Sequence, residues 1–199
     1  MTPPLVLASS SPFRRMLMKN AGLVFGAQAA DIDERAIEAG LHEAGAGPEQ
    51  VAQVLAREKA LAVSRHWPGA FVIGSDQTMS LGDRLYHKPV HLAEARESLL
   101  SLSGKTHQLN SGFAIVRDGV SLFEDVVMAR LTARPFGDSF IDGYLSRIGD
   151  KALTSVGAYQ LEGEGIQLFS HIDGDYFTIL GLPMLPLLQA LRDLGVING

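Results

Sequence analysis

Apolar positions along this chain follow two rhythms, short continuous runs and helical spacing. The run Leu5-Val6-Leu7-Ala8 predicts a buried strand. Ser11-Pro12 behind it supplies a capping hydroxyl and a proline preset for the first helical turn. Phe13, Met16, Leu17 and Ala21 then recur at helical spacing, up to a stop at Gly22. A second short strand is expected near 23–27, followed by an acidic loop at Asp31-Ile32-Asp33-Glu34 and a mobile glycine-rich stretch over 40–48. Pro48-Glu49 opens a helix with Val51, Val54, Leu55, Leu61 and Ala62 on one side, ended by Trp67-Pro68. Phe71-Val72-Ile73 is a continuous apolar run, as a central strand requires.

Past a loop ending in His87-Lys88-Pro89, a helix is predicted over 92–102, closed by Ser103-Gly104. Arg117-Asp118-Gly119, between apolar-rich runs over 106–116 and 120–132, signals a hairpin. A helix follows over 138–147, then strands over 166–169 and 176–180 around Asp173-Gly174, then a last helix over 183–194. Helices and strands alternate early and hairpins come late, so the expected fold is α/β with a mixed, twisted sheet flanked by helices. No repeat, low-complexity tract or linker breaks the pattern, and residues 1–199 read as a single domain.

Composition narrows the chemistry. The 199 residues carry 17 Lys+Arg against 22 Asp+Glu, a net charge of −5 that argues against broad nucleic-acid binding. The absence of cysteine excludes disulfides, thiolate nucleophiles and cysteine-ligated zinc or iron–sulfur centres. Catalysis would have to run on carboxylates, cations, hydroxyls, histidine or a metal held by oxygen and nitrogen. No apolar stretch approaches the ~18 residues of a membrane span, and Met1-Thr2-Pro3-Pro4 lacks the basic start of a leader. A cytoplasmic protein is expected.

Several motif fragments dissolve on inspection. Ser103-Gly104-Lys105-Thr106 resembles the end of a phosphate-binding loop, but Leu99 stands where its first glycine would be. Gly137-Asp138-Ser139 falls where a helix cap is wanted, and His87 and His91 have Pro89 between them, which breaks a helical zinc pair.

Two segments carry more. In Ser9-Ser10-Ser11-Pro12-Phe13-Arg14-Arg15, a strand runs through hydroxyls into a helix whose first turn holds two arginines. Cations are unfavourable at that end of a helix, so the pair suggests a bridging anion such as phosphate; the alternative is two solvated side chains. Gly74-Ser75-Asp76-Gln77 follows the central strand, where α/β sheets gather ligands, and Asp76 there is either a metal ligand, a base or a turn residue. Lys59 and Lys88 are further isolated cations.

Taken in order, these residues resemble the Maf family. The S-x-S-P-x-R-R start, Asp33-Glu34, Glu58-Lys59-Ala60, Gly74-Ser75-Asp76, Lys88-Pro89, Gly157-Ala158-Tyr159 through Gly163, and Gly181-Leu182-Pro183 carry the resemblance from residue 5 to 183. It implies a house-cleaning nucleoside triphosphate pyrophosphatase with an elongated, ITPase-like α/β domain. It also implies a homodimer and a divalent cation, Mg²⁺, Mn²⁺ or Co²⁺. By position, Asp76 matches the proton acceptor, and Ser9, Arg14, Arg15, Lys59 and Lys88 match phosphate-handling places. Glu34 and Asp76 match the metal-handling ones.

Three further positions bear on substrate by resemblance. Phe13, Gln77 and Glu162 match the aromatic, Gln and Glu of the 7-methyl-GTP type rather than the Arg, Thr and Gln of the dTTP/UTP type. The chemistry agrees. N7 methylation gives guanine a positive charge that favours an aromatic face. A carboxylate accepts from guanine's N1–H and N2–H₂ but would face the carbonyls of uracil. Gln160, two residues from Glu162, is the competing base reader; a dTTP/UTP or broad-specificity enzyme, or a non-catalytic nucleotide-binding septum regulator, is the alternative.

Overall fold

A computed structural model describes residues 4–198. Among these residues, seven strands are β1 (Leu5–Ala8), β2 (Gly26–Ala27), β3 (Phe71–Leu81), β4 (Arg84–Tyr86), β5 (Thr106–Arg117), β6 (Val120–Ala133) and β7 (Phe169–Asp173). The helices are α1 (Pro12–Asn20), α2 (Glu34–Glu43), α3 (Pro48–Ser64), α4 (Leu92–Leu102), α5 (Asp138–Ile148), α6 (Tyr176–Ile179) and α7 (Met184–Asp193). The strands form one sheet in the order β2-β1-β3-β5-β6-β7, with β4 paired to β3 off that path. It is mixed, as expected: β1 runs parallel to β2 and β3, whereas β3–β4 and β6–β7 are antiparallel.

The chain gathers into two compact units, residues 4–77, 110–127 and 176–198 in the first and 78–109 and 128–175 in the second. In the first unit, strand alternation sorts the core into two layers. Leu5 and Leu7 of β1, Phe71 and Ile73 of β3, and Phe113 and Ile115 of β5 pack with Leu17 and Met18 of α1 and Leu187 and Leu191 of α7. Val6, Ala8, Val72, Ala114 and Val116 face the other way, onto Ala60 and Val63 of α3. The same parity sends Gly74 and Asp76 towards α3, and Ser75 and Gln77 towards α1 and α7.

Helix α3 lies unusually close to its strands. A Cβ on Gly74 would stand 2.0 Å from the Ala56 carbonyl oxygen, and one on Gly112 would stand 2.6 Å from that of Ala52. Only glycine permits that approach.

Several sequence expectations fail locally. The stretch read as acidic loop and mobile glycines is largely helix α2, capped by Asp33, whose Oδ1 accepts from Ala36 N at 3.0 Å. The second strand contracts to Gly26–Ala27, and Arg84–Tyr86 forms a strand inside the expected loop. Residues 166–168 lie in a 3₁₀ turn (Glu164–Leu168) with the strand starting at Phe169, and 176–179 is a short helix. Short apolar runs do not distinguish strand from helix by period, and here the surroundings decided. The discarded motifs are punctuation: Ser103 and Gly137 cap α4 and α5, and His91 Nδ1 accepts from Glu94 N at the start of α4.

Candidate functional site

The first unit assembles its charged residues past the end of β1 and in the middle of β3, where the parallel pairing of the two strands stops at Ala8 and Gly74; Asp76, expected just after the central strand, lies within it. The turn after β1 is built on hydroxyls. Ser11 N donates to Ser9 Oγ at 3.2 Å, and Ser11 Oγ in turn accepts from Arg14 N to cap α1. Arg14 lies across the strand ends. Its Nε donates to the Gly181 carbonyl and its Nη1 to the Ser75 carbonyl, both at 2.8 Å, with Ser9 Oγ at 3.3 Å. Burial pulls the Arg14 pKa below its usual value, opposed by the fields of Asp76 and Glu34. The arginine therefore ties β1, β3 and the loop before α7 together, while Nη2 has no protein partner among the described residues. Arg15 is exposed and reaches the Ser9 carbonyl at 3.4 Å. Phe13 is half-buried on the same turn.

Across the sheet lies the centre of the cluster. Lys59 Nζ, buried on α3, donates to Asp76 Oδ1 at 2.6 Å and meets Glu34 Oε2 at 2.9 Å. The close packing of α3 on Gly74 brings the lysine within reach, and the Asp33-capped first turn of α2 brings Glu34 over it. Two carboxylates thus converge on one cation. A buried lysine in such a place costs heavily in desolvation unless it is paired, and here it is paired twice.

Gln77 faces the opposite side of the sheet. Its Nε2 donates to Ser111 Oγ at 2.8 Å and to the carbonyls of Thr178 and Ile179 at 3.0 and 3.1 Å. Ser75 Oγ donates to the Gly181 carbonyl at 2.9 Å.

The remaining expected residues belong to the second unit. Lys88 follows β4 and is exposed, as is Glu162. Glu162 sits in a turn anchored by Tyr159, whose hydroxyl is 2.7 Å from His107 Nε2. Ser155 Oγ donates to the Tyr159 carbonyl and accepts from Tyr159 N, closing the 155–159 turn, and Gly163 N donates to the Gln160 carbonyl at 3.2 Å across the adjoining turn that holds Glu162. Ala158 has φ +56, and a Cβ on Gly157 would strike the Tyr159 ring at 2.2 Å. Burial pulls the His107 pKa down to about 4 and pushes Tyr159 far above the usual tyrosine range, so both stay neutral. His107 and Ser111 had no local signal in the sequence, because their importance lies in partners 52 and 67 residues away.

Of the ten expected residues, Ser9, Arg14, Glu34, Lys59 and Asp76 come together in one cluster. A cation–carboxylate cluster with Lys59 and Asp76 buried and Glu34 exposed, where the parallel pairing of β1 and β3 ends and beside a helix start, suits an α/β protein with an anionic, phosphorylated ligand. The chain belongs to the Maf-like protein family, whose model matches residues 4–194. Over all 199 residues it is 66% identical to a 7-methyl-GTP pyrophosphatase of Rhizobium johnstonii, each chain covered in full. It is 61% identical over 198 residues to the 7-methyl-GTP pyrophosphatase of Rhizobium meliloti, again covering 100% of both. A nucleoside triphosphate pyrophosphatase of Bradyrhizobium diazoefficiens is 53% identical over 189 residues, 95% of this chain and 93% of its own. A solved nucleoside-triphosphatase / dITP/XTP pyrophosphatase from Mycobacterium abscessus overlaps with TM-score 0.36 at 16% identity, covering 65% of this chain and 72% of that one.

Proposed function

We propose that this protein is a nucleoside triphosphate pyrophosphatase that hydrolyses 7-methyl-GTP to the nucleoside monophosphate and pyrophosphate. The observation that carries hydrolysis is the Glu34–Lys59–Asp76 cluster. The substrate reading rests on the full-length relatives named for 7-methyl-GTP, together with Phe13, Gln77 and Glu162.

Asp76 is the proton acceptor in this reading. Lys59 grips Oδ1 and so fixes the direction in which Oδ2 can take a proton from water. Addition of that water's oxygen to phosphorus breaks the bridging P–O bond of the α–β anhydride, and the electron pair leaves with pyrophosphate. Arg14 Nη2, the hydroxyl of Ser9 and the exposed Arg15 supply donors for the triphosphate oxygens.

The donor set fits a divalent cation such as Mg²⁺, Mn²⁺ or Co²⁺. Glu34 and Asp76 already turn oxygen towards one shared cation, Lys59 Nζ. Among the described residues no group of three or more acidic or histidine side chains could hold a metal by itself. With Asp76 as the base, Glu34 and the substrate phosphates would hold the ion; with Asp76 as a second ligand, it would give up the base's role. When bound, the ion would withdraw electron density from phosphorus and neutralise the departing phosphate.

The test is pyrophosphate release from 7-methyl-GTP, GTP, UTP and dTTP with each metal, using wild type and Asp76→Asn. We expect 7-methyl-GTP to lead by at least about tenfold and the variant to fall by about a hundredfold or more. Equal rates on UTP would turn the reading to a broad pyrophosphatase. Tight nucleotide binding without release would turn it to a non-catalytic sensor. The same reading carries a homodimer in the cytoplasm, and light scattering checks the first.

A further inference from the structure

The amide of Gln77 has two ends with opposite hydrogen-bonding character, and its surroundings accept only one orientation. Thr178 and Ile179 turn carbonyl oxygens towards it at 3.0 and 3.1 Å, and a carbonyl can only accept. Ser111 closes the arrangement. Its hydroxyl donates to the Thr178 carbonyl at 2.7 Å, which leaves Ser111 Oγ to accept from Gln77 Nε2 at 2.8 Å. Reversing the amide would set Oε1 against two carbonyl oxygens and forfeit the three bonds that Nε2 donates. Ser111 is fully buried on β5, on the face shared by Phe113 and Ile115, so its hydroxyl has no route to solvent. Gln77 itself is only partly buried, and Oε1 has no protein partner among the described residues.

We propose that Ser111 is a positioning residue for base selection: with the Thr178 and Ile179 carbonyls it locks Gln77 so that only the acceptor Oε1 is presented. This rests on the 7-methyl-GTP reading of the site. A fixed acceptor suits a base edge rich in donors, as N1–H and N2–H₂ of guanine are. It opposes the O2 and O4 carbonyls of uracil and thymine, lone pair to lone pair. A free glutamine amide could turn to meet either kind of edge, and the buried serine removes that freedom.

The experiment compares wild type, Ser111→Ala and Ser111→Thr in calorimetric titrations with 7-methyl-GMP and, separately, with inorganic pyrophosphate. Ser111→Ala is expected to weaken 7-methyl-GMP about five- to tenfold and leave pyrophosphate within about twofold, and Ser111→Thr to restore the loss. In turnover the change should appear in KM with kcat nearly constant, since the contact is uniform along the reaction. Equal weakening of both ligands, or of neither, overturns the proposal. The Gln77 side-chain NH₂ resonances give a reading independent of substrate. Slow proton exchange in wild type, quickened in Ser111→Ala, supports the lock; free exchange in wild type overturns it. If wild type binds UMP as tightly as 7-methyl-GMP, the substrate reading fails while the NMR result still decides the lock.

Discussion

Two buried titratable pairs, one in each unit, solve the same physical problem in opposite ways. Lys59 and Asp76 meet as ammonium and carboxylate at 2.6 Å, with Glu34 as a second counter-charge. His107 and Tyr159 meet at 2.7 Å without any counter-charge, and burial drives both to their neutral forms. A protein interior tolerates charge only where the opposite charge is within reach. In the function proposed above, the first pair would serve reaction with a phosphorylated substrate. The second is an anchor, and its polarity serves only to fix the turn that carries Glu162.

The sharpest way to break this contrast is to push α3 off its strand. Gly74→Ala would place a methyl 2.0 Å from the Ala56 carbonyl and 2.7 Å from Ala60 N, both backbone atoms that a rotamer change cannot clear. We expect a loss at the upper end of overpacking, about 3 kcal/mol, read by urea titration. Lys59 would move with the helix, so pyrophosphate release should fall by more than the folded fraction does. A variant of wild-type stability and activity would show that the helix does not set the Lys59–Asp76 distance.

Acid probes the neutral pair. With a folded pKa of about 4 against an ordinary 6.5, His107 takes up protons more readily in the unfolded chain. Its contribution to stability is therefore complete above about pH 6.5 and is lost as pH falls towards 4. The whole span is worth about 3 kcal/mol. His107→Gln keeps a polar partner for Tyr159 without titrating. Melting curves of the two proteins from pH 8 to 4 should therefore converge as pH falls. Parallel curves would mean that His107 is not buried neutral.

These two pairs also mark where the sequence stopped being legible. The capped start of α1, the 117–119 hairpin and the helices over 48–64 and 92–102 follow from local capping, turn chemistry and period, and they stand. Helix α2 has no fully buried residue, and its apolar side is only half-buried, with Ile37 and Leu41 one turn apart between polar residues and glycine. Strand β3 runs on to Leu81 because Ser75, Asp76, Thr78 and Ser80 are buried although polar, a pattern that hydropathy reads as a loop. Ser9, Arg14, Glu34, Lys59 and Asp76 were nameable from the motifs. That Lys59 bonds Asp76 was not, because the distance is set by a missing Cβ on Gly74 in another element.

Tyr159→Phe is the smallest perturbation and the one that separates anchoring from folding. Removing the hydroxyl leaves His107 Nε2 without its partner, and His107 Nδ1 already has none. One lost buried hydrogen bond costs about 1–2 kcal/mol, because the orphaned imidazole nitrogen stays desolvated. The ring itself keeps its edge contact with Phe169 at 4.8 Å, so the core survives. What changes is the grip on the turn between Ser155 and Gly165. Glu162 rides on that turn, while the Lys59–Asp76 pair belongs to the other unit. The ratio of kcat/KM for 7-methyl-GTP over UTP should therefore drop by a few-fold, while the rate on a substrate indifferent to Glu162 stays near wild type. A uniform fall across all triphosphates would make Tyr159 a general structural residue, and the two pairs would then differ in chemistry but not in purpose.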